Sequence, residues 1–183
     1  SKGDLASITI DRKLEKLRNF ETIDEVIEPE NLNATLRPYQ KAGYNWFHFL
    51  NTFTFGGCLA DDMGLGKTLQ TLTLLSSRFN ENNDRTSLLV VPTSLLYNWQ
   101  LESKKFTPNI NFYSHTGTYR SKNVDKFHNY NVIITTYGII RRDIDILSNF
   151  KFDYIVLDES QAIKNPDSQT YKSVTALRSN HRI

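Results

Sequence analysis

One stretch of the sequence, residues 59–68, has the residue types and the spacing suited to holding phosphate groups. Gly64 and Gly66 allow backbone dihedral angles that turn consecutive N–H groups inward, and a helix that begins near Lys67 adds the positive end of its dipole. Lys67 then offers a positive charge to the outer phosphates of a nucleotide, and Thr68 offers a hydroxyl group to a metal ion. The stretch therefore predicts a phosphate-binding loop.

The loop departs from the strict pattern G-x-x-x-x-G-K-S/T at one position. Asp61 stands where that pattern has its first glycine, so a literal search would reject the match. Taken alone, the Gly-Leu-Gly-Lys-Thr segment has an alternative interpretation, a glycine-containing turn before an ordinary helix. A second stretch of the chain favours the phosphate interpretation.

That second stretch ends in two carboxylates. Residues 152–157 form an apolar run of the kind expected for a strand buried on both faces, and Asp158 and Glu159 follow it directly. Ligand chemistry in a parallel sheet gathers at the carboxyl ends of its strands. A strand that delivers two carboxylates there suits a magnesium ion and an attacking water. Together, the two stretches predict a nucleotide-triphosphate site.

Composition and charge describe a globular chain that is large enough to bury a core. The 183 residues are 39% hydrophobic and 23% charged, with a formal net charge of +2. So small a charge does not indicate a nucleic-acid partner, and such a partner must be argued from local patches. No apolar run approaches membrane-spanning length, and the N-terminus lacks a signal-peptide pattern. We therefore predict a cytoplasmic protein with no membrane partner.

The single cysteine and the histidines carry no predicted chemistry. Cys58 excludes an internal disulfide framework and is predicted to be a small buried hydrophobic residue. The four histidines show no metal-ligand spacing. We assign them no function.

Apolar periodicity predicts strands that alternate with helices after an N-terminal extension at residues 1–33. In the extension, Ile10, Leu14 and Leu17 recur at helical spacing and are expected to pack on the rest of the protein. The predicted strands cover residues 57–60, 87–91, 111–114, 132–135 and 154–157. The predicted helices begin near Pro38, cover 67–78 and 94–104, and begin once more at Pro166 with Asn165 as the cap. This alternation implies a parallel sheet covered on both faces.

Residues 36–40, Leu-Arg-Pro-Tyr-Gln, are candidates for contacting a nucleobase. The amide of Gln40 can donate to and accept from an adenine edge at the same time, and Arg37 or Tyr39 could stack on the base. Without the phosphate loop, Gln40 would be interpreted as an ordinary surface residue.

Two further strand ends carry hydroxyl groups, followed in one case by arginines. The simplest role of Thr93 and Ser94, which follow the predicted strand at 87–91, is to cap a helix. Hydroxyl and N–H groups at the start of a helix can also bind phosphate without recognising a base sequence. Polar strand ends beside basic residues can form a track for a nucleic-acid backbone. The candidate contacts are Thr93, Ser94, Thr135, Thr136, Tyr137, Arg141 and Arg142.

In this order, the motifs resemble the first motor lobe of the Swi/Snf-type helicase-like ATPases of superfamily two, especially their bacterial members. The resemblance covers residues 36–183, and the family's usual phosphate loop has an acid at the position of Asp61. Residues 158–161, Asp-Glu-Ser-Gln, resemble the family's acidic box, which is usually Asp-Glu-Ala-His. Gln161 can hydrogen-bond toward the γ-phosphate or a neighbouring lobe, but it cannot titrate near neutrality as histidine can.

The resemblance implies an α/β fold of the RecA-like three-layer type over residues 34–183, with a mostly parallel central sheet. It also implies ATP and Mg²⁺ as cofactors and double-stranded DNA as partner, together with a second RecA-like lobe and a DNA-bound protein complex. Such motors translocate on the duplex, so the protein would be associated with the nucleoid if it is bacterial. The second lobe's motifs are not in this chain, and the isolated lobe is expected to hydrolyse ATP poorly.

The resemblance also assigns roles to residues. Asp158 and Thr68 would position magnesium, Glu159 would orient or deprotonate the attacking water, and Lys67 and Gln161 complete the catalytic set. The expected nucleotide contacts are Arg37, Tyr39, Gln40, Met63, Gly64, Leu65, Gly66, Lys67 and Thr68. Two other function classes stay open: a P-loop kinase or phosphotransferase, for which the chain offers no acceptor pocket or lid, and a non-hydrolysing module that docks to DNA or to a partner lobe.

Overall fold

The computed structural model describes residues 22–60, 64–81 and 85–183. The predictions for Ile10, Leu14 and Leu17, and for Asp61 and Met63, lie outside these ranges. Of the part of the extension that is described, Val26 and Leu32 pack against a small buried cluster that contains Tyr44 and Leu69. The domain boundary at residue 33 stays a prediction.

Helices and strands alternate through the described ranges. The helices are α1 (Pro38–Phe53), α2 (Lys67–Glu81), α3 (Leu96–Phe106), α4 (Tyr137–Leu147) and α5 (Gln169–Ala176). The strands are β1 (Ser87–Val91), β2 (Phe112–Ser114), β3 (Val132–Thr136), β4 (Lys151–Leu157) and β5 (Arg178–Arg182). Short 3-10 turns lie at Thr93–Leu95, Val124–Asn129 and Ser160–Ile163. Within these ranges no helix is long and apolar enough to cross a membrane.

The five strands form one parallel sheet in the order β2-β3-β1-β4-β5. β1 lies at the centre, where Val91 pairs with Thr136 of β3 and Val90 pairs with Leu157 of β4. Because the strands run in one direction, the segments that follow β1, β3 and β4 emerge at the same edge of the sheet.

Each face of the sheet is buried under helices. Along β1, Leu89 and Val91 face a core built with α1, α2 and α3, whereas Leu88 and Val90 face a core built with α4 and α5. This alternation is the period of two expected for a pleated strand. The three-layer α/β fold predicted from the sequence is confirmed.

Three local predictions were wrong. Residues 57–60 form no strand: the N–H of Gly57 donates to the carbonyl of Arg182 at 3.2 Å, but no regular ladder with β5 follows. Cys58, in this segment, is exposed rather than buried. The last helix begins at Gln169, because Ser168 caps it, while Asn165 instead accepts a bond from the N–H of Asp167 in the preceding turn.

A buried ion pair joins α2 to β4. Nε of Arg78 lies 2.9 Å from Oδ2 of Asp153, and Nδ2 of Asn180 donates to Oδ1 of Asp153 at 3.1 Å. Burial alone would raise the pKa of Asp153, but the bonds from Arg78 and Asn180 outweigh it and hold that pKa below its usual value. The pair therefore stabilises the fold at neutral pH, and this contribution is lost as the pH falls through the lowered pKa.

Replacing Arg78 by leucine is expected to lower the free energy of unfolding by about 3–5 kcal/mol, because it leaves the Asp153 carboxylate buried without its hydrogen-bonded cation. Urea denaturation at pH 7 measures the loss. Lys41→Met is the control, since it breaks a half-exposed pair with Glu28 at 2.9 Å and should cost no more than about 1 kcal/mol. Equal losses in the two variants would contradict this account of the buried pair.

Candidate functional site

Lys67 of the predicted phosphate loop and the predicted carboxylate pair line one cavity, whereas Gly64, Leu65, Gly66 and Thr68 are not among its lining residues. Its volume is about 540 Å³, within the range of about 300–1,000 Å³ usual for small-molecule sites. Lys67, at the start of α2, lies on its wall, and so do Asp158 and Glu159, at the carboxyl end of β4. The remaining polar or charged lining residues are Cys58, Thr71, Trp99, Ser160, Gln161 and Arg182.

The loop before α2 has the backbone conformation that only glycine adopts easily. Gly64 has φ +84° and Gly66 has φ +78°, both in the left-handed region. A Cβ atom on Gly66 would lie 2.3 Å from Nε2 of Gln40, whereas a Cβ on Gly64 would meet no atom of the described residues within 4 Å. Glycine at position 66 thus permits close contact with α1.

Gln40 holds the loop against α1. Its amide oxygen accepts from the N–H of Arg37 at 2.9 Å, and its amide nitrogen donates to the carbonyl of Leu65 at 3.1 Å. Gln40 is buried, while Arg37 and Tyr39 are exposed. Both ends of the Gln40 amide are engaged within the protein, and the contact between Gln40 and adenine stays a prediction.

Asp158 is held from three directions. The indole N–H of Trp99 in α3 donates to Oδ2 at 2.7 Å, and the N–H of Glu159 donates to Oδ1 at 3.1 Å. The hydroxyl of Tyr137, at the start of α4, donates to the main-chain carbonyl of Asp158 at 2.7 Å. Burial raises the pKa of Tyr137, and the charges of Asp158 and Glu159 add to this, so the phenol keeps the proton that it donates.

Glu159 follows Asp158 in a conformation that is uncommon for a residue with a side chain. Its φ is +52°, in the left-handed region, and the amide of Gln161 donates to its Oε2. Non-glycine residues with positive φ cost about 1–3 kcal/mol and cluster at functional sites. The turn aims the Glu159 carboxylate into the cavity and gives Gln161 a partner within the acidic box.

Thr68, in the first turn of α2, contacts a carboxylate that the sequence analysis did not single out. Its hydroxyl is hydrogen-bonded to Glu102 of α3. Burial raises the pKa of Glu102, and the bond to Thr68 and the charge of Lys105 partly oppose that rise. Neither Glu102 nor the bond from Trp99 to Asp158 follows from any sequence pattern, because the partners are far apart in the chain.

Comparison with known proteins decides the family. A profile of the SNF2-related domain matches residues 39–183, which is most of the chain. The chain belongs to the SNF2-related family.

Individual relatives agree with this assignment. YwqA of Bacillus subtilis is 38% identical over 174 residues, which are 93% of this chain and 19% of YwqA. The TATA-binding protein-associated factor mot1 of Aspergillus fumigatus is 39% identical over 175 residues, which are 88% of this chain and 9% of mot1. The SNF2-related chain thus spans less than a fifth of the length of these two relatives.

A solved structure resembles the fold closely. The Sulfolobus solfataricus SWI2/SNF2 ATPase core in complex with dsDNA has 45% sequence identity and a TM-score of 0.81, over 87% of this chain and 33% of that one. The five-stranded parallel sheet of the SNF2-related chain therefore has the RecA-like architecture of that core, as the sequence predicted.

The residues predicted to contact a nucleic-acid backbone divide into two groups. Thr93 and Ser94 are exposed in the 3-10 turn after β1, and Arg141 is exposed on α4. In contrast, Thr135 and Thr136 are buried, and the hydroxyl of Thr135 donates to the carbonyl of His115 at 2.8 Å.

The side chains of Thr135, Thr136 and Tyr137 are buried, at the end of β3 and the start of α4. Their contact with a nucleic-acid backbone stays a prediction. Tyr137 supports the carboxylate pair through its bond to Asp158.

A buried network of the SNF2-related chain fixes the segment after β2. Nε2 of His115 lies 2.9 Å from Oδ2 of Asp143, and the guanidinium of Arg120 bonds both oxygens of the same carboxylate. The bond from Arg120, more than that from His115, lowers the pKa of Asp143, while burial lowers the pKa of His115. Asp143 sits at a kink in α4, where its φ is −113°. The network joins the segment after β2 to α4.

Proposed function

We propose that this SNF2-related chain is the ATP-binding first lobe of a DNA-dependent ATPase that translocates on double-stranded DNA and remodels protein–DNA complexes. The observation that carries the proposal is that Lys67 and the pair Asp158 and Glu159 line the same cavity. Phosphoryl transfer depends on positioning and charge stabilisation, and a cation opposite two carboxylates supplies both.

The residues present suit ATP with magnesium. Magnesium usually takes one or two carboxylates together with phosphate oxygens and waters, and Asp158 with the Thr68 hydroxyl matches that need. Within the described ranges no group of three or more His, Cys, Asp and Glu residues could hold a metal ion alone. This fits a metal that arrives with phosphate ligands.

Five residues have roles in this proposal. Bound magnesium would offset charge on the phosphates, and Lys67 would offset charge from the side of the loop. Asp158 and Thr68 would hold the ion directly or through water. Glu159 orients the attacking water and accepts its proton, while Gln161 holds the Glu159 carboxylate by the hydrogen bond between them.

Two observations support the DNA partner. The related Sulfolobus solfataricus SWI2/SNF2 ATPase core forms a complex with dsDNA. In this chain, Thr93, Ser94 and Arg141 are exposed and can reach a phosphate backbone. Hydroxyl groups and arginine contact phosphates without reading sequence, so the binding is proposed to be insensitive to sequence and sensitive to salt.

A second RecA-like lobe is proposed as the other partner. An arginine supplied to the γ-phosphate is worth about a thousandfold or more in turnover rate. We therefore expect the isolated 183-residue lobe to bind nucleotide but to hydrolyse it slowly.

ATP turnover by the complete protein, measured with and without duplex DNA, tests the proposal. We expect DNA to raise turnover, and we expect DNA binding to weaken between two salt concentrations as phosphate contacts require. A P-loop kinase would instead consume ATP only when a small-molecule acceptor is added. A docking module would bind DNA without hydrolysis, and either of these results would overturn the motor proposal.

A further inference from the structure

Two side chains of α3 contact the two residues that we assign to magnesium. Trp99 donates to Oδ2 of Asp158 at 2.7 Å, and Glu102 is hydrogen-bonded to the hydroxyl of Thr68. Residues three positions apart lie on the same side of a helix. One face of α3 therefore reaches both groups, although Thr68 comes from the phosphate loop and Asp158 from the far end of β4.

Both contacts leave the metal-binding electron pairs available. A threonine hydroxyl that gives its proton to Glu102 keeps the lone pairs of its oxygen for a cation. The indole N–H of Trp99 occupies one of about four lone-pair sites on the Asp158 carboxylate. Metal ligands are commonly oriented by a second partner of this kind, and losing that partner typically costs about 10–100-fold in metal affinity.

Packing against the core fixes the position of α3, and with it the direction of these two contacts. Trp99 is only 5% exposed and belongs to the core cluster that includes Leu75, Val91 and Val156. The indole is held by packing, so its N–H keeps its direction toward Asp158. Glu102 is half-buried, so substitution at this position does not remove core volume.

We propose that Trp99 and Glu102 are positioning residues for the magnesium site: α3 holds the Asp158 carboxylate and the Thr68 hydroxyl at the spacing that the ion requires. The inference rests on the proposed function, since it assumes that ATP with magnesium binds in the cavity. It assigns the two residues an effect on magnesium rather than on the nucleotide itself.

The test is equilibrium binding of a fluorescent ATP analogue to the complete protein over a series of Mg²⁺ concentrations, from excess EDTA upward. Trp99→Phe removes the N–H donor and keeps an aromatic ring, and Glu102→Leu removes the acceptor. Each is expected to raise the half-saturating Mg²⁺ concentration by about tenfold or more, with binding in EDTA unchanged. Thermal unfolding of each variant shows whether it is folded.

Two matched controls separate positioning from packing. Trp46→Phe makes the same change at a half-buried tryptophan that packs on the same core cluster, and Glu102→Gln keeps an oxygen that can accept from Thr68. Both are expected to keep the magnesium dependence of the unchanged protein. Because Glu102 is half-buried, its pair of variants decides the question even if Trp99→Phe does not fold.

The outcomes distinguish this inference from the proposed function. Suppose that the unchanged protein binds the analogue only with Mg²⁺, and that Trp99→Phe and Glu102→Leu have the same half-saturating Mg²⁺ concentration as their controls. The positioning role is then wrong, and the proposed function stands. If the unchanged protein does not bind the analogue at any Mg²⁺ concentration, the proposed function itself is wrong.

Discussion

Replacing Glu159 by glutamine in the complete protein is expected to lower kcat for ATP at saturating DNA by about 100-fold or more, because general-base catalysis contributes about 10²–10⁴ in rate. The dissociation constant for ATP should change by less than about threefold. The amide oxygen of the new glutamine can still accept from Gln161, so the turn at Glu159 keeps its hydrogen bond. Steady-state turnover and equilibrium binding of a fluorescent ATP analogue measure the two quantities separately.

Glu28→Gln is the matched control for this variant. Glu28 is half-exposed and pairs with Lys41, so the same chemical change there should leave kcat and ATP binding as they are. Should Glu159→Gln hydrolyse ATP at the rate of the control, Glu159 does not act on the attacking water. Should it lose ATP binding instead, the residue would belong to the binding surface rather than to the chemical step.

Replacing Lys67 by alanine has the second large expected effect, and it acts on binding. A hydrogen bond to a charged group contributes about 1.5–3 kcal/mol, so the dissociation constant for ATP should rise by about 10–150-fold. The loss follows because Lys67 lines the cavity at the start of α2, and its replacement removes the side-chain charge at that helix end. Equilibrium titration with the same fluorescent analogue measures it.

Lys172→Ala provides the control, since Lys172 is exposed on α5 and does not line the cavity. Its ATP affinity should match that of the unchanged protein. An unchanged affinity in Lys67→Ala would mean that the phosphates do not lie against the loop before α2. The two variants together predict separable effects, with Lys67 governing binding and Glu159 governing turnover.

Four of the five strands of the sheet could be predicted because their signals are local, whereas β5 was not predicted. β1 matches the predicted range 87–91, since five consecutive residues that bury on both faces end at Pro92. The helix at Pro38 was also correct, because proline is suited to the first helical turn. Parallel strands then bring Asp158 to the edge at which the segments after β1 and β3 also emerge.

Features that depend on several elements at once could not be predicted. Helix α4 was missed because Gly138 lies in its first turn and Asp143 kinks it, which obscures the helical period. Cys58 is exposed because its segment makes only a single ladder bond to β5 and does not enter the sheet.

Side-chain partners across the fold were equally hidden from the sequence. Trp99 and Asp158 are 59 positions apart, so no spacing rule relates them. Thr135 has the residue type of a phosphate contact, but its side chain is buried and donates to the carbonyl of His115. Residue types identified the candidate site, whereas the direction of each side chain required the folded structure.

A crystal structure of the complete protein with a non-hydrolysable ATP analogue and Mn²⁺ tests the central claim most directly. We predict an anomalous peak beside the analogue's outer phosphates, about 2.1 Å from the Thr68 hydroxyl oxygen and bonded to Asp158 directly or through one water. The triphosphate should lie against the amides of Gly64 to Lys67. A metal peak and triphosphate found outside the cavity shared by Lys67 and Asp158 would contradict the account.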